Sequence, residues 1–224
     1  MFKKNLIRAV VTALFGVVAG SASAAVFTLD FEGLKDLEFI WGFYNGDPGS
    51  MGSIGPDLDI VFGANAQAII DLDAGGTGNI ANEPTPNTVM FFLSGTSAVL
   101  NYSAGFTTGF SFWYSTTSFG GSVDVWDGLN AGGNKLGSIT LDALGTPSSC
   151  GDPAGDFCRW EIGSLAFGGT ARSIDFGGTI DQVAYDNITF GSTNPNPGTV
   201  PEPASLALVG LALIGVAAQR RRRT

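Results

Sequence analysis

Short runs in which every second side chain is apolar, separated by glycine-rich turns, leave this chain few folds to choose from. From Val26 to Phe31, Phe27, Leu29 and Phe31 share one face, and Thr28 and Asp30 the other. Leu58, Ile60 and Phe62 repeat the pattern against Asp59. Phe110, Phe112 and Tyr114 alternate with Ser111, Trp113 and Ser115. Val123 and Val125 alternate with Asp124 and Trp126, and Ile174 and Phe176 with Ser173 and Asp175. A period of two puts alternate side chains on opposite faces of a strand, so these are half-buried strands. Turn-formers sit between them: Asn45-Gly46-Asp47-Pro48-Gly49, Gly75-Gly76-Thr77-Gly78-Asn79, Gly120-Gly121, Gly132-Gly133-Asn134 and Gly177-Gly178. No helical stripe in this part of the chain exceeds about two turns. The pattern predicts an all-β domain over residues 25–192, an antiparallel β-sandwich of jelly-roll type.

The two ends read differently. Lys3, Lys4 and Arg8 precede an apolar run from Ala9 to Ala19, and Ala22-Ser23-Ala24 supplies a small-x-small cleavage pattern. Residues 1–24 therefore read as a helical secretory signal peptide, cut after Ala24. At the other end, Pro195, Pro197, Pro201 and Pro203 space out residues 193–203 as an extended, solvated linker. Val200-Pro201-Glu202-Pro203 is followed by an uncharged apolar run, Ala204 to Ala218, and by Arg220, Arg221, Arg222 and Arg223. Residues 204–224 read as a single hydrophobic helix with a cytoplasmic basic stop, because arginines resist translocation. The run is short for a span: its 15 residues rise ~1.5 Å each, roughly 22 Å against a hydrocarbon core of ~30 Å. This tail resembles the PEP-CTERM sorting signal of exopolysaccharide-producing Gram-negative bacteria. The resemblance implies export through the inner membrane, transient residence there, and processing by exosortase, a membrane protease that cuts near the Pro-Glu-Pro motif.

Charge narrows the partners. Of 11 basic residues, residues 25–192 hold only Lys35, Lys135, Arg159 and Arg172, against 19 of the 20 acidic ones, a formal charge of −15. A surface without basic patches is repelled by phosphates, which excludes nucleic-acid binding. In an oxidising compartment Cys150 and Cys158 are expected to form a disulfide across their turn-rich loop, worth roughly 2.5 kcal/mol by chain entropy.

The domain opens with Asp30-Phe31-Glu32-Gly33 and closes with Asp186-Asn187-Ile188-Thr189-Phe190-Gly191. These stretches resemble a group of PEP-CTERM proteins and the first and last strands of jelly-roll carbohydrate-binding modules, which implies a structural calcium where those strands meet. Asp186 carries a separate argument. It shares strand parity with Ala184, Ile188 and Phe190, so its carboxylate faces the core and needs a partner. Asp30, Glu32, Asp186 and Asn187 are the expected Ca²⁺ ligands, a hard cation taking oxygens. Asp57-Leu58-Asp59 and Asp71-Leu72-Asp73 are weaker, reading as solvent-facing strand or turn residues.

Sugar rings stack on exposed aromatics with polar neighbours. Trp41 and Tyr44 beside Asn45 and Asp47, Trp113 in the polar parity of its strand, and Trp126 beside Asp124 and Asp127 are the candidates. Trp160, next to Cys158, is expected to pack. Catalysis has little to work with: the chain has no histidine, which removes Ser-His-Asp and Cys-His chemistry. No two glutamates of the body sit in a recognisable catalytic spacing. The expected function is a non-catalytic exopolysaccharide-binding or biofilm-matrix component at the cell surface. A self-associating adhesive protein and a jelly-roll glycosidase are the alternatives. Trp113 or Trp126 on an open face favours sugar binding; two carboxylates across a cleft favour the glycosidase.

Overall fold

A computed structural model describes residues 26–147, 150 and 155–196. The signal peptide with Ala22 and Ala24, the sorting motif Val200–Pro203, the apolar run and the arginines Arg220–Arg223 lie outside the described residues. Within the compact unit Ala24–Val200, eleven strands follow in chain order. They are β1 (Phe27–Leu29), β2 (Ile60–Phe62), β3 (Gln67–Ile70), β4 (Thr88–Phe91), β5 (Ser97–Phe106), β6 (Gly109–Thr116), β7 (Gly121–Trp126), β8 (Lys135–Leu141), β9 (Glu161–Ala166), β10 (Ala171–Gly178) and β11 (Val183–Phe190). A 3-10 turn, Phe43–Asn45, is the one helical element among the described residues. None of their helices is long and apolar enough to cross a membrane.

All pairings between strands are antiparallel, in two sheets. One runs β3-β4-β11-β6-β9 with β1 added on β11; the other runs β2-β5-β10-β7-β8. The pairs β7–β8, β6–β9, β5–β10 and β4–β11 nest inside one another like a single long hairpin wrapped around itself. That nesting is the jelly roll, and the sequence-based expectation of the fold class holds.

The alternating residues meet between the sheets. Phe112 stands at the centre, with ring centroids 5.5 Å from Phe110, 6.3 Å from Tyr114, 5.8 Å from Phe176 and 5.8 Å from Tyr185. Opposite it, β9 carries Gly163, where an added Cβ would lie 2.3 Å from Phe112 Cζ. The glycine is the hole into which the ring fits.

The outer face of the six-stranded sheet is also covered, which the sequence pattern did not anticipate. Ile80, Val89, Phe157 and Ala184 form a second buried cluster there, with Ile69 and Trp160 packed against it. Ile80 bridges Phe157, Ala81 N donates to Phe157 O, and Trp160 Nε1 donates to Ala81 O. The expected disulfide, Cys150–Cys158, is present with a Cα–Cα distance of 5.7 Å and pins this cover, and Trp160 packs as expected.

The chain after β11 adds a strap. Ser111 Oγ donates to Ser192 O at 3.0 Å, Thr189 Oγ1 donates to Pro195 O at 3.2 Å, and Pro195 is buried. The start of the proline-spaced segment is therefore docked on the sheet, where the sequence suggested a solvated linker. Its short side-chain bonds to β6 and β11 outweigh the intrinsic preference of proline for open solvent.

Replacing Cys158 with serine is expected to lower stability by roughly 2.5 kcal/mol in urea unfolding. Amide exchange should quicken first at Ala81, in the cover, while the β6 amides keep their protection.

Candidate functional site

Two places on the domain gather the sequence-named residues. The first is an acidic nook beside the middle of β11. Asp186 lies opposite Trp113 in the β11–β6 ladder, which shifts register before Thr189 opposes Ser111. Asn187, with φ 49, supplies the extra residue of this bulge. The shift breaks the parity assumed from sequence: Tyr185, Ile188 and Phe190 belong to the core, and Asp186 faces outward with Ala184. It is nonetheless fully buried, because the Thr85 segment closes over it.

Asp186 Oδ2 accepts Thr85 N at 2.9 Å and Oδ1 accepts Asn187 N at 2.7 Å. Thr85 Oγ1 lies 2.8 Å from both carboxylate oxygens and 3.3 Å from the Asp30 carbonyl. Glu32 Oε1 accepts Asn87 N at 3.0 Å and Thr88 N at 2.9 Å. Burial pushes the Asp186 carboxyl up to about 7; the bonds from Thr85 and Asn187 pull the other way, and the Glu32 charge adds to the rise. Tyr44 sits beneath, pushed well above its ordinary value by burial and then by Asp30, with Asp186 and Glu32 adding to the rise.

Asp186, Asn187, Glu32 and the Asp30 carbonyl are thus linked through the Thr85–Thr88 segment and the β11 backbone. Oxygen donors without a lysine or arginine among their bonding partners suit a hard cation in chemistry. In the geometry at hand Asp186 and Glu32 spend their oxygens on amides and a hydroxyl. Among the described residues, no group of three or more His, Cys, Asp or Glu side chains is placed to hold a metal ion. Asp71 and Asp73 line a separate polar cleft of about 380 Å³ with Asn82, Glu83 and Asn87.

The second place is an aromatic pair. Trp41 is 43% exposed and stacks on Phe39 with centroids 5.8 Å apart and an interplanar angle of 9°. Its φ of 42 is left-handed, a costly conformation for a tryptophan. Phe62 N donates to Trp41 O, and Gly42 next to it leaves room for Asp47, whose Cβ would be 2.6 Å from an added Cβ. Behind the pair, Glu38 is fully buried. It accepts Met51 N at 2.8 Å, Ser53 N at 3.1 Å and Lys35 N at 2.9 Å. Burial alone would raise its proton affinity; those bonds outweigh it and hold the carboxyl below its ordinary value.

The other aromatics named from sequence are less open. Tyr44 is buried in the core with its hydroxyl accepting Phe31 N at 2.7 Å, so it packs and offers no face. Trp113 and Trp126 are half-buried, and their indole N–H groups are buried without a hydrogen bond. Lys135 Nζ lies 5.2 Å above the Trp126 ring and 2.6 Å from Asp124, so that face of the indole is taken. Sequence reasoning missed Phe39, although it shares strand parity with Trp41. It also missed Thr85, which no local signal links to a carboxylate 101 residues away.

In chelator, the domain is expected to gain stability as pH falls from about 8 to about 5.5, measured by urea unfolding. Across that window the unfolded Asp186 is ionised while the folded one takes up its proton, so folding is favoured on the acid side. Glu38 opposes this only lower down, where its depressed folded-state value is crossed. Asp186→Asn should flatten the profile; an unchanged slope would assign it to another group.

Residues 199–223 match the model of the PEP-CTERM protein-sorting motif. No curated protein matches this chain in sequence. Among solved structures, the K2 cleaved adhesin domain of Lys-gingipain is similar at 13% identity and TM-score 0.47, covering 74% of this chain and 97% of that one. The K1 cleaved adhesin domain of Lys-gingipain from Porphyromonas gingivalis W83 gives 13% identity, TM-score 0.36, and coverage of 58% and 96%. The carbohydrate-binding module CBM6cm-2 from Cellvibrio mixtus lichenase 5A, in complex with cellotriose, gives 13%, 0.36, 58% and 89%. The chain is thus an exported β-sandwich protein that carries a PEP-CTERM sorting motif, the signal by which exosortase sorts a protein to the cell surface.

Proposed function

We propose that the mature protein is a non-catalytic, exopolysaccharide-binding component of the biofilm matrix of a Gram-negative bacterium. The signal peptide (1–24) and the tail (193–224) serve export through the inner membrane and exosortase processing, and the β-sandwich (25–192) does the binding. The observation that carries this reading is Trp41. A broad indole, stacked on Phe39 and held partly exposed in a strained backbone conformation, offers a flat face to a sugar ring. Trp126 is a weaker platform because Lys135 already occupies its face.

Chemistry speaks against a glycosidase. Asp124 and Asp175 stand directly opposite across β7 and β10. Burial would raise Asp124, but Lys135 and Ser138 outweigh that and hold it below its ordinary value, the reverse of what a general acid needs.

The same reading gives the acidic nook a structural Ca²⁺, with Asp30, Glu32, Asp186 and Asn187 as ligands once Asp186 and Glu32 release the amides they now hold. Its support is a buried carboxylate, next to a second one, that is hydrogen-bonded by Thr85 and Asn187, both neutral. A cation there competes with the proton on Asp186. Calcium should therefore raise the melting temperature at about pH 8 more than at about pH 5.5. A melt indifferent to calcium and chelator at both would remove the ion from the account.

Co-sedimentation of the unit Ala24–Val200 with exopolysaccharide from its own host tests the binding itself. Trp41→Ala is expected to weaken binding about tenfold, the equivalent of ~1.4 kcal/mol, with Trp126→Ala far less affected. Binding unchanged in Trp41→Ala would move the site elsewhere, and no binding at all would leave a structural or adhesive role.

A further inference from the structure

We propose that Asn45 is a site of spontaneous covalent modification: Gly46 and water convert it, through a cyclic imide, to aspartate and isoaspartate, and the conversion frees the turn behind Trp41. The site stands on its own chemistry; its consequence for binding rests on the carbohydrate reading above.

The reaction closes a five-membered ring. The backbone nitrogen of Gly46 attacks Cγ of Asn45, and a new C–N bond forms as the bond to the side-chain amide nitrogen breaks. The Gly46 N–H proton goes to hydroxide; the amide nitrogen takes a proton from water and leaves as ammonia. A second water then opens the ring at either carbonyl. One opening gives aspartate, the other a main chain that runs through the side chain. No oxidant or reductant takes part. Glycine is the least hindered neighbour for this attack, having no Cβ and a free choice of φ. Of the chain's asparagines, only Asn45 precedes a glycine.

The fold leaves this pair open. Gly46 is exposed and Asn45 half-buried. Asn45 N and Asp47 N both donate to Gly42 O, at 2.7 and 3.2 Å, whereas Gly46 N between them makes no hydrogen bond with the described residues. The Asn45 side-chain amide reaches Asp47 Oδ2 at 3.4 Å, a long bond that costs little to give up. Asp127-Gly128 is the instructive contrast, since an aspartate before glycine closes the same ring with loss of water. There Gly128 N donates to Gly132 O at 3.0 Å, and the Asp127 carboxylate accepts Asn134 N and Nδ2 at 2.7 and 2.9 Å. Nucleophile and electrophile are both engaged, so that pair is shut.

Conversion of Asn45 undoes the turn. A carboxylate stands where the amide met Asp47, so a hydrogen bond becomes a like-charge contact. Asp57 adds to it, with its carboxylate 3.5 Å from where a Cβ on Gly46 would stand. Isoaspartate also lengthens the main chain by one carbon between the two amides that share Gly42 O. Gly42 directly follows Trp41, whose left-handed φ of 42 persists only while its surroundings enforce it. The platform therefore ages with the turn.

The test is to age the unit Ala24–Val200 at physiological temperature in neutral and mildly alkaline buffer, and to map its peptides by mass spectrometry. Asn45 is expected to gain the mass difference between amide and acid, faster as hydroxide rises, while the other asparagines stay intact. A separate isoaspartate peak should accompany the aspartate one. Aged protein is expected to bind the host exopolysaccharide about threefold more weakly than fresh protein, with thermal melts showing both folded. Asn45→Gln, whose longer side chain would have to close a slower six-membered ring, should keep its affinity on ageing.

An intact Asn45 under conditions that convert a free peptide of the same sequence overturns the site, because the fold would then shield it. Conversion spread evenly over the asparagines overturns it too. Conversion of Asn45 with unchanged binding breaks the link to Trp41. Failure of the underlying reading looks different: Asn45 converts, and neither fresh nor aged protein binds the polysaccharide.

Discussion

The structure depends on an aromatic lock between two sheets. Phe112 on β6 meets Phe176 on β10 edge to face, and Tyr185 on β11 joins both, at 5.8, 4.9 and 5.8 Å. Rings of this size bury large apolar areas and prefer such tilted contacts. Nested pairing is what brings them together, for β6 is distant in the chain from the consecutive β10 and β11, and all three are central in the sheets. Everything at the surface is mounted on strands whose inner side chains meet in this lock. Phe31 and Tyr44 extend it to the loops that carry Trp41 and the acidic nook.

Strands with one face in the core and one toward solvent were legible in the sequence. β1, β2, β6, β7 and β10 appear where the alternation put them, and β11 where its core-like parity did. β4 was not legible, because all four of its residues, Thr88–Phe91, are buried: one face lies in the core and the other under the second cluster. β9 was hidden by an inversion. Its inward Gly163 makes room for Phe112, while Ile162 beside Trp113 points outward and is 47% exposed. The nook was half legible. That Asp186 needed partners followed from its apolar neighbours, but the face it occupies did not, because a bulge at Asn187 has no sequence mark. Thr85, which supplies most of the bonds, comes from a loop that only the tertiary fold delivers.

Two buried carboxylates, each well supplied with donors, shift in opposite directions, and what differs is the balance of burial and neighbouring charge against those bonds. Glu38 collects three backbone N–H groups from loops and sits below its ordinary value. Asp186, though also well bonded, has a burial cost that its bonds do not offset and the Glu32 charge beside it, so its proton is held to about 7. The first clamps the loop behind the aromatic pair at any pH above its titration. The second couples the middle of β11 to the proton concentration around neutral pH.

The strap after β11 closes the end of the last strand. Ser111 Oγ on β6 holds Ser192 O and Thr189 Oγ1 on β11 holds Pro195 O, so the chain leaving the last strand is fastened back onto two central strands. The strap is thus a latch: β11 cannot fray from its C-terminal end until both bonds have opened.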